Sequence, residues 1–139
     1  MARLKILDTT VLINHWRKFD PPQRTTTECR LYAEELIELQ GTNVIVSPVL
    51  IEFLAGARNR SELELFQAYL EPFEVLDNGL IPPADWDEAR RFAQWIRTDR
   101  NRTERPRKLG DCLIQAIAAR FNRDVVSSDL DIKRRVPPR

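Results

Sequence analysis

The chain is poor in the residues that build thiolate and imidazole sites, with two cysteines and one histidine among 139 residues. Cys29 and Cys112 stand far apart and neither belongs to a CxxC or Cys/His spacing. That argues against a zinc site or a disulfide scaffold and points to a reducing compartment. Long apolar runs are missing too. The amino terminus, Met1-Ala-Arg-Leu-Lys-Ile-Leu-Asp8, lacks the apolar core of a signal peptide, and no later stretch is long enough to span a bilayer. The expectation is a cytoplasmic protein that makes no membrane contact. Excess charge of one sign is the third absence: 22 Lys plus Arg against 21 Asp plus Glu leave a formal charge of +1. Any nucleic-acid footprint must therefore be local.

What is present suits one globular domain spanning 1–139, since 42% hydrophobic content on this length can bury a sizeable core. Leu4 to Leu7 reads as a strand that ends at Asp8-Thr9-Thr10, after which Val11, Leu12, Ile13 and Trp16 recur at helical spacing. Thr27 to Gln40 is an amphipathic helix with Gly41 as its stop. Val44-Ile45-Val46 is a second strand, and Ser47-Pro48 follows it as a cap with proline at the first helical position. That helix ends near Gly56. A further helix covers Ser61 to Leu70, and Glu74-Val75-Leu76 is a short strand. Pro83 to about Thr98 reads as a helix burying Trp86, Ala89, Phe92, Ala93 and Ile96. A helix beginning near Asp111 and a strand at Asp124 to Ser127 complete the series. Strands alternating with helices imply βαβ units, so the fold class is α/β, with a parallel sheet covered by helices.

Four carboxylates sit where a core would not choose them. Glu52 is the only charge from Val44 to Ala57, which predicts apolar surroundings and a need for a partner. Asp8 is the only charge from Ile6 to Asn14 and falls at the carboxyl end of a strand, the edge where open α/β sheets bind ligands. Asp129 has the equivalent place after Val125-Val126, and Asp111 follows Gly110 in the first turn of a helix. Each has a bland reading as well: Asp8 as a helix cap, Asp111 as a first-turn acid, Asp129 as a turn residue, Glu52 as half of an ion pair. Together they suggest one edge bearing four acids, which would repel unless cations lay between them. Oxygen-only ligands select Mg²⁺ or Mn²⁺, and paired ions can drive in-line displacement at a phosphodiester.

The segments Ile6-Leu7-Asp8-Thr9-Thr10-Val11, Ser47-Pro48-Val49-Leu50-Ile51-Glu52-Phe53, Asp111-Cys112-Leu113-Ile114-Gln115-Ala116 and Ser127-Ser128-Asp129-Leu130-Asp131 together resemble the PIN-domain nucleases. In size and motif order the chain looks most like the VapC toxins of prokaryotic toxin–antitoxin pairs. The resemblance runs from Leu4 to about Ile132 and implies a three-layer fold, with a central parallel sheet flanked by helices. It implies a ribonuclease whose Mg²⁺ or Mn²⁺ ligands are Asp8, Glu52, Asp111 and Asp129. Thr9 and Ser127 would stand near the site, and Asp131 is a candidate fifth acid. It further implies a homodimer neutralised by a cognate antitoxin. Ile132 departs from the pattern, standing where such proteins often carry an aromatic.

Arg97 to Lys108 is a basic stretch with little apolar content, and it directly precedes Asp111. Arg105, Arg107 and Lys108 are the cations best placed to grip RNA phosphates there, the alternative being a solvated loop. Lys133, Arg134, Arg135 and Arg139 form a second basic cluster. His15 is a weak candidate for general base, because a metal-activated water would already supply the nucleophile. Trp16, Trp86 and Trp95 read as core or interface residues rather than base-stacking platforms, Trp95 beside the basic stretch being the one kept as a stacking candidate. A phosphoaspartate hydrolase would need an acid two residues after Asp8, where Thr10 stands. A binding module that kept the fold without the chemistry would be expected to have lost one of the acids. A housekeeping RNA-processing nuclease remains an alternative to a toxin.

Overall fold

A computed structural model describes residues 4–19, 25–94 and 108–127. Among these, ten elements follow one another: β1 (Lys5–Leu7), α1 (Thr9–Trp16), α2 (Thr26–Gln40), β2 (Val44–Ile45), α3 (Ser47–Ala55), α4 (Arg60–Leu70), β3 (Glu74–Val75), α5 (Pro83–Gln94), α6 (Leu109–Arg120) and β4 (Asp124–Val126). The architecture is α/β, as the alternation of periods requires.

All strand pairing is parallel. β1 pairs with β4, with Leu7 opposite Val126, and β2 pairs with β3, with Ile45 opposite Val75. The two pairs lie side by side, bridged where the Thr42 hydroxyl donates to the Lys5 carbonyl at 3.0 Å. β1 is flat against the core, with Ile6 and Leu7 wholly buried, and β2 likewise buries Val44 and Ile45. Such strands read as short apolar runs because helices cover the sheet.

The helix boundaries follow local chemistry. α2 begins where the Thr25 hydroxyl accepts from the Glu28 N–H at 3.1 Å, and it stops at Gly41, whose φ of 73° is open to glycine and strained for most other residues. α4 begins at Asn59, whose side chain accepts from the Glu62 N–H at 2.9 Å. α3 departs from expectation. Ser47 is its first helical residue and makes no capping bond; the Ser47 N–H is instead held at 2.8 Å by the buried Asp77, from the loop after β3. A remote carboxylate thus satisfies one of the donors left open at the amino end of the helix, where sequence suggested a capping hydroxyl.

The main core gathers β1, β2, α1, α2, α3 and α4 around Leu12, Leu36, Val49, Phe53, Phe66 and Tyr69. Each such side chain taken from water contributes about 1.5–3 kcal/mol. A smaller cluster, with Phe92, Cys112 and Leu113, joins α5 to α6. α6 is buried on almost every side from Cys112 to Ala118 and links the two clusters. Cys29 and Cys112 are buried and neither is in a disulfide. Trp86 and Ala93, expected inside, are exposed, Trp86 by 48%. The stripe that α5 buries is narrower than its apolar content, and Ala89 and Phe92 fill it. Trp86 and Ala93 instead line an open cleft of about 390 Å³ with Leu109 and Cys112. Ile96 and Trp95 lie outside the described residues. No described helix is long and apolar enough to cross a membrane.

Candidate active site

The ends of β1 and β4 bring the first polar groups together. With Leu7 level with Val126, the next residues, Asp8 and Ser127, emerge side by side, and the Asp8 N–H donates to the Val126 carbonyl at 2.9 Å. Asp8 is 4% exposed. Its Oδ1 accepts the Thr9 N–H at 2.8 Å, which makes it the amino-terminal cap of α1. Its Oδ2 accepts two hydroxyls, from Ser127 at 3.0 Å and Thr10 at 3.2 Å. The cap and the strand-end acid are therefore the same side chain.

Thr9 carries the arrangement to the next element. Its hydroxyl donates to Glu52 Oε1 at 2.6 Å, tying the first turn of α1 to the middle of α3. Glu52 was expected among apolar neighbours and is exposed instead. Successive helical residues diverge by about 100°, so Phe53 turns into the core while Ile51 and Glu52 face outward. The partner it needs is the Thr9 hydroxyl. The other end of that carboxylate rests on α6: a Cβ placed on Gly110 would lie 2.2 Å from Glu52 Oε2. Asp111 follows, half-buried, as the acid in the first turn of α6.

Asp8, Thr9, Ser127, Glu52 and the turn bearing Asp111 thus share one rim, at the carboxyl edge of β1 and β4. Asp129, Asp131, Arg105 and Arg107 lie outside the described residues, and Lys108 is exposed immediately before α6. Among the described residues no three His, Cys, Asp or Glu side chains are grouped to hold a metal ion. The donors on the rim are nonetheless all oxygens, carboxylates backed by hydroxyls, the chemistry that suits Mg²⁺ or Mn²⁺ rather than zinc. Two residues on this rim carried no role in the sequence reading. Thr10 offers a hydroxyl to Asp8, and Gly110 leaves room for Glu52; their only signals are a polar pair after a strand and a glycine ahead of an acid.

His15 stands apart from the rim, 3% exposed at the far end of α1. Its Nδ1 shares a hydrogen bond of 2.7 Å with the Tyr69 hydroxyl, and Phe19 meets its ring edge-on. Burial holds its pKa below the ordinary 6.5, opposed by the Glu35 carboxylate 3.5 Å from Nε2 and reinforced by Lys18. Among the described residues no hydrogen bond runs directly from His15 to Asp8.

A family model for the PIN domain matches residues 5–136, nearly the whole chain. The chain belongs to the PIN domain family. The PIN domain is generally a nuclease fold. Comparison with curated proteins gives no match. In this PIN domain the matched region includes all four acids and the basic stretch before Asp111.

Proposed function

We propose that this PIN domain is a metal-dependent endoribonuclease, the VapC-like toxin of a toxin–antitoxin pair acting in the cytoplasm. Asp8, Glu52, Asp111 and Asp129 would hold Mg²⁺ or Mn²⁺, with Asp131 as a candidate fifth acid. The observation that carries the reading is the Thr9 hydroxyl bond to Glu52, which draws an exposed acid on α3 toward the strand-end acid Asp8.

Bound there, the metal would activate water and neutralise charge at the leaving oxygen of a phosphodiester. The chain's own part is orientation. Ser127 and Thr10 fix one Asp8 oxygen and the Thr9 N–H fixes the other, so the carboxylate cannot rotate freely. Such outer partners set the geometry and basicity of ligands. Arg105, Arg107 and Lys108 would supply sequence-independent grip on RNA phosphates beside the rim. A homodimer and a cognate antitoxin complete the proposal.

The test is cleavage of a mixed RNA pool by purified protein with Mg²⁺ or Mn²⁺, with EDTA, and by Asp111→Asn in parallel. Cutting that needs metal and that the variant lacks is expected. Equal cutting by the variant would assign the activity to a contaminant or another site. Co-purification with the product of an adjacent small gene tests the toxin role.

A further inference from the structure

We infer that Gly110 is a positioning residue for Glu52: it leaves open the space in which the Glu52 carboxylate meets the first turn of α6, beside Asp111. The inference rests on the nuclease reading above for its catalytic consequence, while its geometric content is independent of that reading.

Backbone conformation gives no reason for glycine at this position, because the positive-φ glycines of the described residues are Gly41 and Gly79. Helix propensity argues against it, since alanine forms helices far better than glycine. Space is what remains. A Cβ at Gly110 would meet Glu52 Oε2 at 2.2 Å, Cδ at 2.8 Å and Oε1 at 3.2 Å, and real Cβ atoms essentially never approach within 3.0 Å. All three atoms belong to the one carboxyl group. Oε1 also accepts the Thr9 hydroxyl at 2.6 Å. The Glu52 carboxyl thus meets both a hydroxyl donor on α1 and a bare Cα on α6. The amino-terminal turn of a helix also favours a nearby negative charge.

The consequence separates activity from stability. The obstructed atoms are the far end of a flexible, exposed side chain, so a methyl group at 110 would push the carboxylate aside without unpacking the core. Glu52→Asp, one methylene shorter, would fit beside that methyl group.

The experiment compares wild type, Gly110→Ala, Glu52→Asp and the double variant in the full chain. Four readouts are taken: thermal unfolding, the ¹³C carboxyl resonance of Glu52, Mn²⁺ binding, and RNA cleavage resolved into kcat and KM. Gly110→Ala is expected to melt at or above the wild-type temperature and to shift the Glu52 resonance. It should weaken Mn²⁺ binding and lower kcat by roughly 10–100-fold, the range for loss of an outer ligand-orienting contact. The double variant should exceed Gly110→Ala in kcat, the non-additivity expected of groups in contact. An unmoved Glu52 resonance with wild-type kcat in Gly110→Ala would overturn the inference. So would unfolding of Gly110→Ala that Glu52→Asp does not reverse, because Gly110 would then serve the fold. Wild type that binds no Mn²⁺ and cuts no RNA would instead sink the nuclease reading, and the resonance alone would then decide the role of Gly110.

Discussion

The two ends of α1 each make one short hydrogen bond to another helix, and the bonds have opposite settings. At the amino end Thr9 reaches the exposed Glu52 at 2.6 Å; at the carboxyl end His15 meets the wholly buried Tyr69 at 2.7 Å. The lengths are nearly the same. At the rim the Glu52 carboxylate stays open to water whether or not Thr9 holds it, so the main effect of the bond is to orient that carboxylate. Inside, a lost partner leaves a buried polar atom unsatisfied, which costs about 1–3 kcal/mol. Bond length therefore says little about purpose, and burial says much.

The sharpest way to break that comparison is Asp8→Asn. Asparagine caps helices as well as aspartate does, so α1 should persist while the negative charge disappears. Metal-dependent cleavage is expected to fall by more than the roughly 10–100-fold that loss of an outer partner costs. The melting temperature without metal should hold or rise, since one member of an acidic rim is neutralised. Unfolding of the variant would move Asp8 from the chemistry to the fold, and RNA cleavage beside calorimetry separates the cases.

A paired experiment sharpens it further. Thr9→Val keeps the shape and removes the hydroxyl that holds Glu52, so cleavage should drop about 10–100-fold with little change in unfolding midpoint. Tyr69→Phe removes the hydroxyl that His15 needs, so stability should fall by about 1–3 kcal/mol in denaturant titration while cleavage stays near wild type. If both variants lost both properties, α1 would act as one mechanical unit and the contrast between its ends would fail.

Much of this was legible in the residues. The strand before Asp8, the glycine stop at Gly41 and the helix from Asp111 follow from period and from local chemistry, which act within a few residues of chain. Asp8 was readable both as a cap and as a strand-end acid, and its side chain occupies both places. What failed was long-range. Nothing near Ser47 announces that Asp77, thirty residues on, supplies the carboxylate that holds its N–H. The apolar neighbours of Glu52 suggest burial, yet the helix turns Phe53 inward and leaves Ile51 and the acid outward. Trp86 was assigned to a core that α5 fills with smaller pieces of its surface. Local pattern marks Glu52 and Trp86 but says nothing of Asp77, and only packing decides which way each side chain faces.

The smallest expected effect concerns pH at the buried end of α1. Burial lowers the pKa of His15 below 6.5; Lys18 acts in the same direction, and Glu35 from α2 opposes both. Below 6.5 the unfolded chain takes up a proton that the folded chain refuses until its own lower pKa is reached. The unfolded state then binds more protons, so folding stability increases with pH across that window. The contribution is complete above 6.5 and is shed as pH falls toward the folded value. His15→Gln keeps a polar partner for Tyr69 and cannot titrate, so its melting temperature should decline less than that of wild type over the same window. Parallel curves for the two proteins would mean that the imidazole stays neutral in both states or charges freely in both. The buried end of α1 would then be as indifferent to pH as its aromatic neighbours, and the decline would belong to carboxylates.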